Sequence, residues 1–283
     1  MREGRASRTA ERVAERRAAH QLLDAPLVFE DPLALRILEP DVAAQIAKNP
    51  REIESSPLSP YFRAAFAARS RLAEDELRSA VESRGIAQYV VLGAGFDTFA
   101  YRNPFAGLRV FEVDHPATQG VKRARLANAK IDVPGNVAFV PIDFSETRLG
   151  DALDRSGFVK TAPAFFSWLG VVPYLELPAI RDTFRFVGSM PKGSEIVFDY
   201  GSRPESLSLV GRLVFKRLAA RVAAAGEPWK TFLDPAELSK MLHDDGFSAV
   251  EDFGPAELNR MYFSGRNDKL RIGEMAHIAK AVV

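Results

Sequence analysis

The feature that most constrains the fold is an alternation of short apolar runs with helical stretches. Strand-length apolar runs recur at 88–93, 108–114, 136–143, 164–169 and 194–200. Helical patterns separate or follow them at 116–129, 146–155, 178–188, 205–225 and 234–245. Runs that are apolar on both faces are typical of parallel strands covered on two sides by helices. The pattern therefore predicts an α/β fold with a doubly wound, mostly parallel sheet. Two further runs, 247–253 and 276–283, suit an antiparallel hairpin at its edge and bring the predicted sheet to seven strands.

Three helices are predicted before the first strand. Residues 5–23 have helical spacing with Ser7 or Thr9 as the cap, and a second helix over 31–48 would begin at Asp31-Pro32. A third spans 59–84 and ends at Gly85, because glycine readily adopts the left-handed conformation that closes a helix.

Composition excludes several classes of protein. The 283 residues contain no cysteine, which excludes disulfide scaffolds and thiolate metal sites, and no other metal site is predicted. The chain has 38 Lys and Arg against 37 Asp and Glu, so its net charge gives no indication of a nucleic-acid partner. No apolar run that could serve as a signal-peptide core follows the amino-terminal arginines, and the longest apolar run, 164–175, is too short for a membrane span. We expect a cytoplasmic protein with neither a nucleic-acid nor a membrane partner.

The stretch VVLGAGFDT (90–98) is the first candidate ligand site. Gly93 and Gly95 follow the first predicted strand and would let the backbone approach a ligand closely. In a dinucleotide fingerprint the third glycine would fall at Thr98, and Asp97 would repel a pyrophosphate. A cofactor without phosphates, such as S-adenosylmethionine, is favoured over a nicotinamide dinucleotide. The alternative is a tight turn that binds nothing.

Acidic residues end the next two predicted strands. Asp114 lies 21 residues after Gly93, an offset at which carboxylates accept hydrogen bonds from ribose hydroxyls, and Glu112 on the same side of the strand is the alternative. Asp143 and the backbone N–H of Phe144 could bind an adenine ring at the end of the third strand. Each acid could instead be a solvated helix cap.

Two arginines lie on apolar helix faces. Arg69 shares its face with apolar residues of the 59–84 helix, whereas Arg71 points the opposite way. A buried guanidinium needs a carboxylate, which is either the cofactor's methionine carboxylate or one from the protein. Arg17 repeats this arrangement more weakly on the first helix.

The motifs together resemble the leucine carboxyl methyltransferase-like family of S-adenosylmethionine-dependent methyltransferases, including bacterial enzymes of specialised metabolism. The resemblance rests on AARSRLAEDEL (67–77), VVLGAGFDTFAYR (90–102), VFEVDHPATQ (110–119), VPIDF (140–144) and WLGVVPYL (168–175). It implies a class I methyltransferase fold, a cofactor-binding domain over 61–283 and an N-terminal helical lid over 1–60. It also implies that Arg69 holds the methionine carboxylate and that Gly93 and Gly95 line the methionine end. Asp114 would bind ribose, and Asp143 with Phe144 would bind adenine.

One departure from the family bears on the methyl acceptor. Members that methylate a protein carboxyl terminus carry a glutamate where this chain has Leu169, so a small, largely apolar acceptor methylated on a carboxyl or hydroxyl oxygen is favoured. Trp168 and Tyr174 could offer aromatic faces to the sulfonium or the acceptor, or be ordinary core residues. No catalytic residue is assigned. His115 is the histidine nearest the cofactor motif, although a structural role at a helix start is the stronger interpretation. The alternatives are a nicotinamide-dependent oxidoreductase and a non-catalytic nucleoside-binding protein.

Overall fold

The computed structural model describes residues 7–52, 56–143, 147–224 and 226–283. These residues form nine α-helices and seven strands. The helices are α1 (Arg8–Leu23), α2 (Pro40–Lys48), α3 (Ser59–Arg84), α4 (Pro116–Asn128), α5 (Leu149–Asp154), α6 (Leu177–Gly188), α7 (Leu209–Ala224), α8 (Pro235–Asp244) and α9 (Pro255–Tyr262). The strands are β1 (Gln88–Leu92), β2 (Arg109–Asp114), β3 (Val137–Pro141), β4 (Phe165–Trp168), β5 (Glu195–Gly201), β6 (Ala249–Phe253) and β7 (Ala276–Val282). None of the helices in these ranges is both long and apolar enough to cross a bilayer.

The strands form one sheet in the order β3-β2-β1-β4-β5-β7-β6. Neighbours from β3 through β5 are parallel, whereas β7 lies antiparallel to both β5 and β6. Because β1 has β2 on one side and β4 on the other, the order reverses beside β1. The predicted doubly wound, mostly parallel seven-stranded sheet with an antiparallel edge is confirmed.

The sheet is buried on both faces, as its apolar runs predict. Along β1, Val90 and Leu92 pack into a core that includes side chains of α5, α6 and α8, whereas Tyr89 and Val91 pack against α3 and α9. Alternate residues of a strand point to opposite faces, so a continuous apolar run fills two layers at once. The carboxyl ends of the strands are thereby held in a rigid frame.

Local signals fix the helix ends where they are strongest. Ser7 caps α1 by accepting a hydrogen bond from the N–H of Ala10, and α3 ends at Gly85, whose φ is +69°. The predicted helix over 31–48 is wrong in its first half, since only α2 forms and residues 32–37 make turns. Pro40 disfavours helical geometry at the residue before it, which separates the two halves.

Two elements differ from the sequence-based expectation in kind. In the sequence Asp97-Thr98 suggests the start of a helix, whereas the structure forms only a short 3₁₀ helix over 99–101. The sequence reading did not include α9, although Pro255 and Glu257 in its first turn are typical of a helix start.

Candidate functional site

A cavity of about 470 Å³ lies at the carboxyl ends of the central strands. It occupies the crevice that a doubly wound sheet creates where its strand order reverses, here between β1 and β4. The chain contributes to its wall through the turn after β1, the ends of β2 and β3, the segment 169–175, the first turns of α1 and the segment 226–230. The sequence-predicted motifs therefore converge on one site.

The turn after β1 requires its glycines for two reasons. Gly93 and Gly95 have φ values of +69° and +45°, a region that other residues avoid. A Cβ atom on Gly93 would also lie 2.3 Å from a methyl carbon of Val171, and one on Gly95 would lie 3.2 Å from the Cβ of Ala10. The turn thus has no room for side chains of its own, and both glycines line the cavity, as the sequence predicts.

Asp114 is held in the cavity wall by the backbone. Its Oδ2 accepts a hydrogen bond from the N–H of Gly95 at 2.5 Å, and its Oδ1 accepts one from the N–H of His115 at 2.6 Å. Burial raises the pKa of the carboxyl, although these two hydrogen bonds oppose the shift. Each oxygen retains a lone pair, so the carboxylate can accept further hydrogen bonds from a ligand's hydroxyls.

Glu112, the alternative to Asp114, does not line the cavity, which corrects its candidacy as a ligand residue. Its side chain is 1% exposed, and its carboxylate accepts hydrogen bonds from Lys122 Nζ and the Tyr101 hydroxyl, both at 2.8 Å. A buried carboxylate needs such partners, because an unpaired charge in the interior is costly. Glu112 therefore belongs to an internal ion pair beneath the site.

Asp143 and His115 lie together on the cavity wall. His115 caps α4 by accepting a hydrogen bond from the N–H of Ala117 on Nδ1, which is the helix-start role favoured from the sequence. Its Nε2 lies 3.8 Å from Asp143 Oδ2. Phe144, the other predicted adenine contact, lies outside the described residues.

Arg69 lines the cavity and is also paired within the protein. Its Nη1 donates to Asp199 Oδ2 at 2.7 Å, and its guanidinium lies 4.6 Å from the ring centre of Phe66. Asp199 is thus the protein carboxylate considered from the sequence. Nε and Nη2 have no hydrogen-bond partner among the described residues, so the guanidinium can also bind the cofactor's methionine carboxylate. Arg71 is exposed and pairs with Asp75, as its position on the opposite face predicts.

Arg17 reaches the cavity from α1 with its charge already compensated. It donates to Asp31 at 2.5 Å and to Asp97 at 3.2 Å. Burial alone would raise the pKa of Asp97, but Arg17, with Lys122 and Arg102, holds that pKa below its usual range. Asp97 is therefore ionised at the cavity wall, where it would repel a pyrophosphate, as argued from the sequence.

Trp168 does not line the cavity, which corrects its candidacy as a contact to the sulfonium. It is fully buried, and its ring packs edge-on against Phe184 at a centroid distance of 5.6 Å. Because side chains alternate between the two faces along β4, Trp168 points into the core. Leu169 and Tyr174, in contrast, line the cavity.

Glu227 is a site residue that the sequence reading missed. Its carboxylate lines the cavity and accepts hydrogen bonds from the N–H groups of Arg8 and Thr9, at 3.2 and 3.0 Å, and from the hydroxyls of Ser7 and Thr9. An acid at a helix N-terminus satisfies unpaired N–H groups and interacts favourably with the helix dipole. No sequence signal could reveal this contact, since the two segments are about 220 residues apart.

The donor and acceptor groups of the cavity fit S-adenosylmethionine. A guanidinium with free N–H groups can bind a carboxylate, Asp114 can accept from ribose hydroxyls, and the Gly93–Gly95 turn gives the close approach that an elongated ligand needs. The sheet order and this site define a class I S-adenosylmethionine-dependent methyltransferase.

Comparison with known proteins identifies the family. The family model for leucine carboxyl methyltransferase matches residues 10–188, and the chain belongs to this family. Over its whole length the chain is 33% identical to the Bacillus subtilis (strain 168) protein named "Putative S-adenosyl-L-methionine-dependent methyltransferase YktD", of which it covers 99%. A Mycobacterium marinum protein with the same general name is 32% identical over 62% of this chain and 56% of its own length. The cofactor is S-adenosylmethionine, and the nicotinamide alternative is not supported.

Solved structures show the same fold at low sequence identity. A crystal structure described as a "putative methyltransferase" from Thermobifida fusca YX superposes with a TM-score of 0.59 at 17% identity, covering 99% of this chain and 96% of that one. A DUF574 family protein from Streptomyces avermitilis gives a TM-score of 0.52 at 17% identity, over 95% and 96% of the two chains.

Proposed function

We propose that the protein transfers a methyl group to a carboxyl or hydroxyl oxygen of a small, largely apolar molecule. The observation that carries this proposal is the apolar part of the cavity lining, which comes from α1, the segment after β4 and the segment 226–230. It consists of Ala10, Val13, Leu169, Val171, Leu175 and Pro228. An apolar pocket with few polar groups favours an apolar metabolite over a polar chain terminus.

The cofactor would be held by residues from separate strand ends. We assign the amino-acid carboxylate to Arg69, the ribose hydroxyls to Asp114 and the adenine amino group to Asp143. When bound, S-adenosylmethionine supplies an electrophilic methyl group on its sulfonium. The protein's task is then to align the acceptor oxygen with that methyl group and to exclude water.

The nature of the acceptor decides whether a base is needed. A carboxylate is already a nucleophile at neutral pH, whereas a hydroxyl benefits from a proton acceptor. Among the four histidines, His115 is the one that lines the described cavity, but its Nε2 lies 3.8 Å from Asp143, the residue assigned to adenine. His115→Asn keeps a helix-capping side chain and removes the imidazole. Because the imidazole lies at the adenine end and not at the methyl group, we expect methylation of both carboxyl and hydroxyl acceptors to stay within about threefold, and a loss of about 10²-fold for hydroxyl acceptors alone would identify His115 as a base.

We further propose that residues 1–60 act as a helical lid over the cavity. In support, Ala10, Val13 and Ala14 of α1 line the cavity and Glu227 bonds to the start of the same helix. A covering helix would exclude water from the reacting atoms.

The test is transfer of a labelled methyl group to a panel of small carboxylic acids, phenols and peptides with free carboxyl termini. Turnover of small apolar acids or phenols is expected. Turnover of peptides alone would contradict the small-molecule acceptor, and binding of S-adenosylhomocysteine without any turnover would favour a non-catalytic binding protein.

A further inference from the structure

Helix α7 presents an unusual surface. It spans 16 residues, yet none of its side chains is buried. Of the eight large apolar residues that are prominently exposed in the described chain, three lie within its first five positions. These are Leu209, Val210 and Leu213, at 83%, 73% and 53% exposure. Single exposed apolar residues are ordinary, but a cluster indicates an interaction surface.

The charges of α7 are all of one sign. Arg212, Lys216, Arg217 and Arg221 lie on it, and positions 209–224 contain no acidic residue. The structure shows no ion pair for Lys216, Arg217 or Arg221 among the described residues. Glu274 lies at the start of the helix, where it accepts hydrogen bonds from the N–H and hydroxyl of Ser208.

The helical arrangement places apolar residues in a strip along the exposed face, with cations on both sides of it. At 100° per residue, four residues fall within a sector of about 60° at the centre of that face: Leu209, Leu213, Ala220 and Ala224. Arg212 and Lys216 lie on one side of this strip, and Arg217 and Arg221 lie on the other. Exposed Val210 falls between these last two in angle, outside the strip. The strip runs about 22 Å along the helix at 1.5 Å per residue, with its two leucines in the first five positions and alanines in the second half.

The opposite face of α7 holds the helix beside the cavity. Phe215 packs against Phe232 and Trp229, at ring-centroid distances of 5.0 and 6.0 Å. Trp229 lies between Pro228 and Lys230, both of which line the cavity. Residues adjacent to the cavity wall therefore hold α7 in place through the face opposite its exposed side.

We propose that α7 is an interfacial helix that binds the surface of an anionic membrane. The apolar strip enters the boundary between headgroups and acyl chains, while the bordering cations reach anionic headgroups on both sides. A convex strip with cations on both borders matches a flat, negatively charged surface better than it matches an apolar groove. The expectation of no membrane partner rested on the lack of a spanning segment, and an interfacial helix needs none.

Vesicle sedimentation tests this proposal on the whole chain, without cofactor or acceptor, so that its outcome is independent of methyl transfer. The probes are phosphatidylcholine vesicles with and without a fraction of phosphatidylserine. We expect binding only to the anionic vesicles, weakened by about 0.5 M salt, which shortens the range of electrostatic attraction. Lys216→Glu/Arg217→Glu and Leu209→Ser/Leu213→Ser should each weaken binding at least about tenfold.

Matched controls come from exposed residues on other elements. Lys240→Glu/Arg260→Glu reverses two exposed cations, and Val133→Ser/Val159→Ser removes two exposed apolar side chains. Both should bind like the unchanged protein, and unchanged melting temperatures would show that all variants fold. The proposal is overturned if anionic vesicles are not bound, or if the α7 variants bind as well as the controls. It is also overturned if Leu209→Ser/Leu213→Ser dissociates a dimer in sedimentation velocity, because a second copy would then cover the face.

Discussion

The guanidinium of Arg69 and the carboxylate of Asp199 form an ion pair of 2.7 Å beside the cavity, from positions 130 residues apart in the chain. The second oxygen of Asp199 accepts a hydrogen bond from the N–H of Gly170, where a Cβ atom would lie 2.9 Å from the guanidinium. Asp199 thus fixes one edge of the guanidinium and leaves the remaining N–H groups for a ligand.

We expect Arg69→Ala to weaken S-adenosylhomocysteine binding by about 1.5–3 kcal/mol, the range for losing a hydrogen bond to a charged group. Arg69→Lys should restore little, because an ammonium cannot reproduce a planar fork. Titration calorimetry gives the affinities, and exposed Arg71→Ala is the control. A lower melting temperature with full cofactor affinity would show that Arg69 serves only its pair with Asp199.

Asp114 and Glu112 allow a comparison of two carboxylates on one strand. Asp114→Ala should weaken S-adenosylhomocysteine binding by about 1.5–3 kcal/mol with a modest loss of stability. Glu112→Ala should cost about 3–5 kcal/mol of unfolding free energy, because it leaves the buried Lys122 without its partner. Calorimetry and urea unfolding separate the two effects. A loss of affinity in folded Glu112→Gln that exceeds the loss in Asp114→Ala would reverse the assignment.

Gly93 and Gly85 share a φ of +69° but differ in their surroundings. A Cβ atom on Gly85 meets nothing within 4 Å, whereas one on Gly93 meets Val171 at 2.3 Å. Gly85→Ala should therefore cost about 1 kcal/mol of unfolding free energy from backbone strain alone. Gly93→Ala should cost about 1–3 kcal/mol more through overpacking and should also impair cofactor binding. Equal losses in urea unfolding would show that the turn near Val171 yields easily.

Glu227 allows the lid to be tested without truncation. Glu227→Ala removes the acceptor for the first N–H groups of α1, so water should enter and turnover should fall about tenfold or more. S-adenosylhomocysteine affinity should change less than about threefold, because the cofactor residues assigned above lie elsewhere. Glu237→Ala, which removes an exposed ion pair with Arg203, is the control. Undiminished turnover in labelled-methyl assays would contradict the lid.

Glu195 makes stability depend on pH. Burial raises its pKa to about 7 despite the opposing charge of Arg84. Between its usual pKa of about 4.5 and this value, the native state binds a proton that the unfolded state does not. This group's contribution is therefore largest at low pH and declines as pH rises through that window, by up to about 3 kcal/mol. The difference in urea-unfolding free energy between the protein and Glu195→Gln should follow this decline, and a constant difference from pH 5 to 8 would contradict it.

The sequence predicts the parts of the molecule that local chemistry determines. The seven strands, the Gly85 helix end and the glycine turn each carry a short-range signal, and so does Asp114 at the end of β2. The sequence could not decide between Glu112 and Asp114, because strand alternation places both on one side and the choice depends on Lys122 and Tyr101. Asp199 and Glu227 were not found, since their partners come from distant segments.

The cavity lies where the strand order reverses beside β1, and two kinds of segment form its wall. The residues assigned to the cofactor are carried mainly by the sheet and the turns that leave it, so they are fixed by the same packing that stabilises the core. The wall assigned to the acceptor comes largely from α1, the segment after β4 and the segment 226–230, which belong to no strand. Substitutions there can reshape the acceptor pocket without displacing the strands, so one scaffold can acquire new acceptors while its methyl donor stays the same.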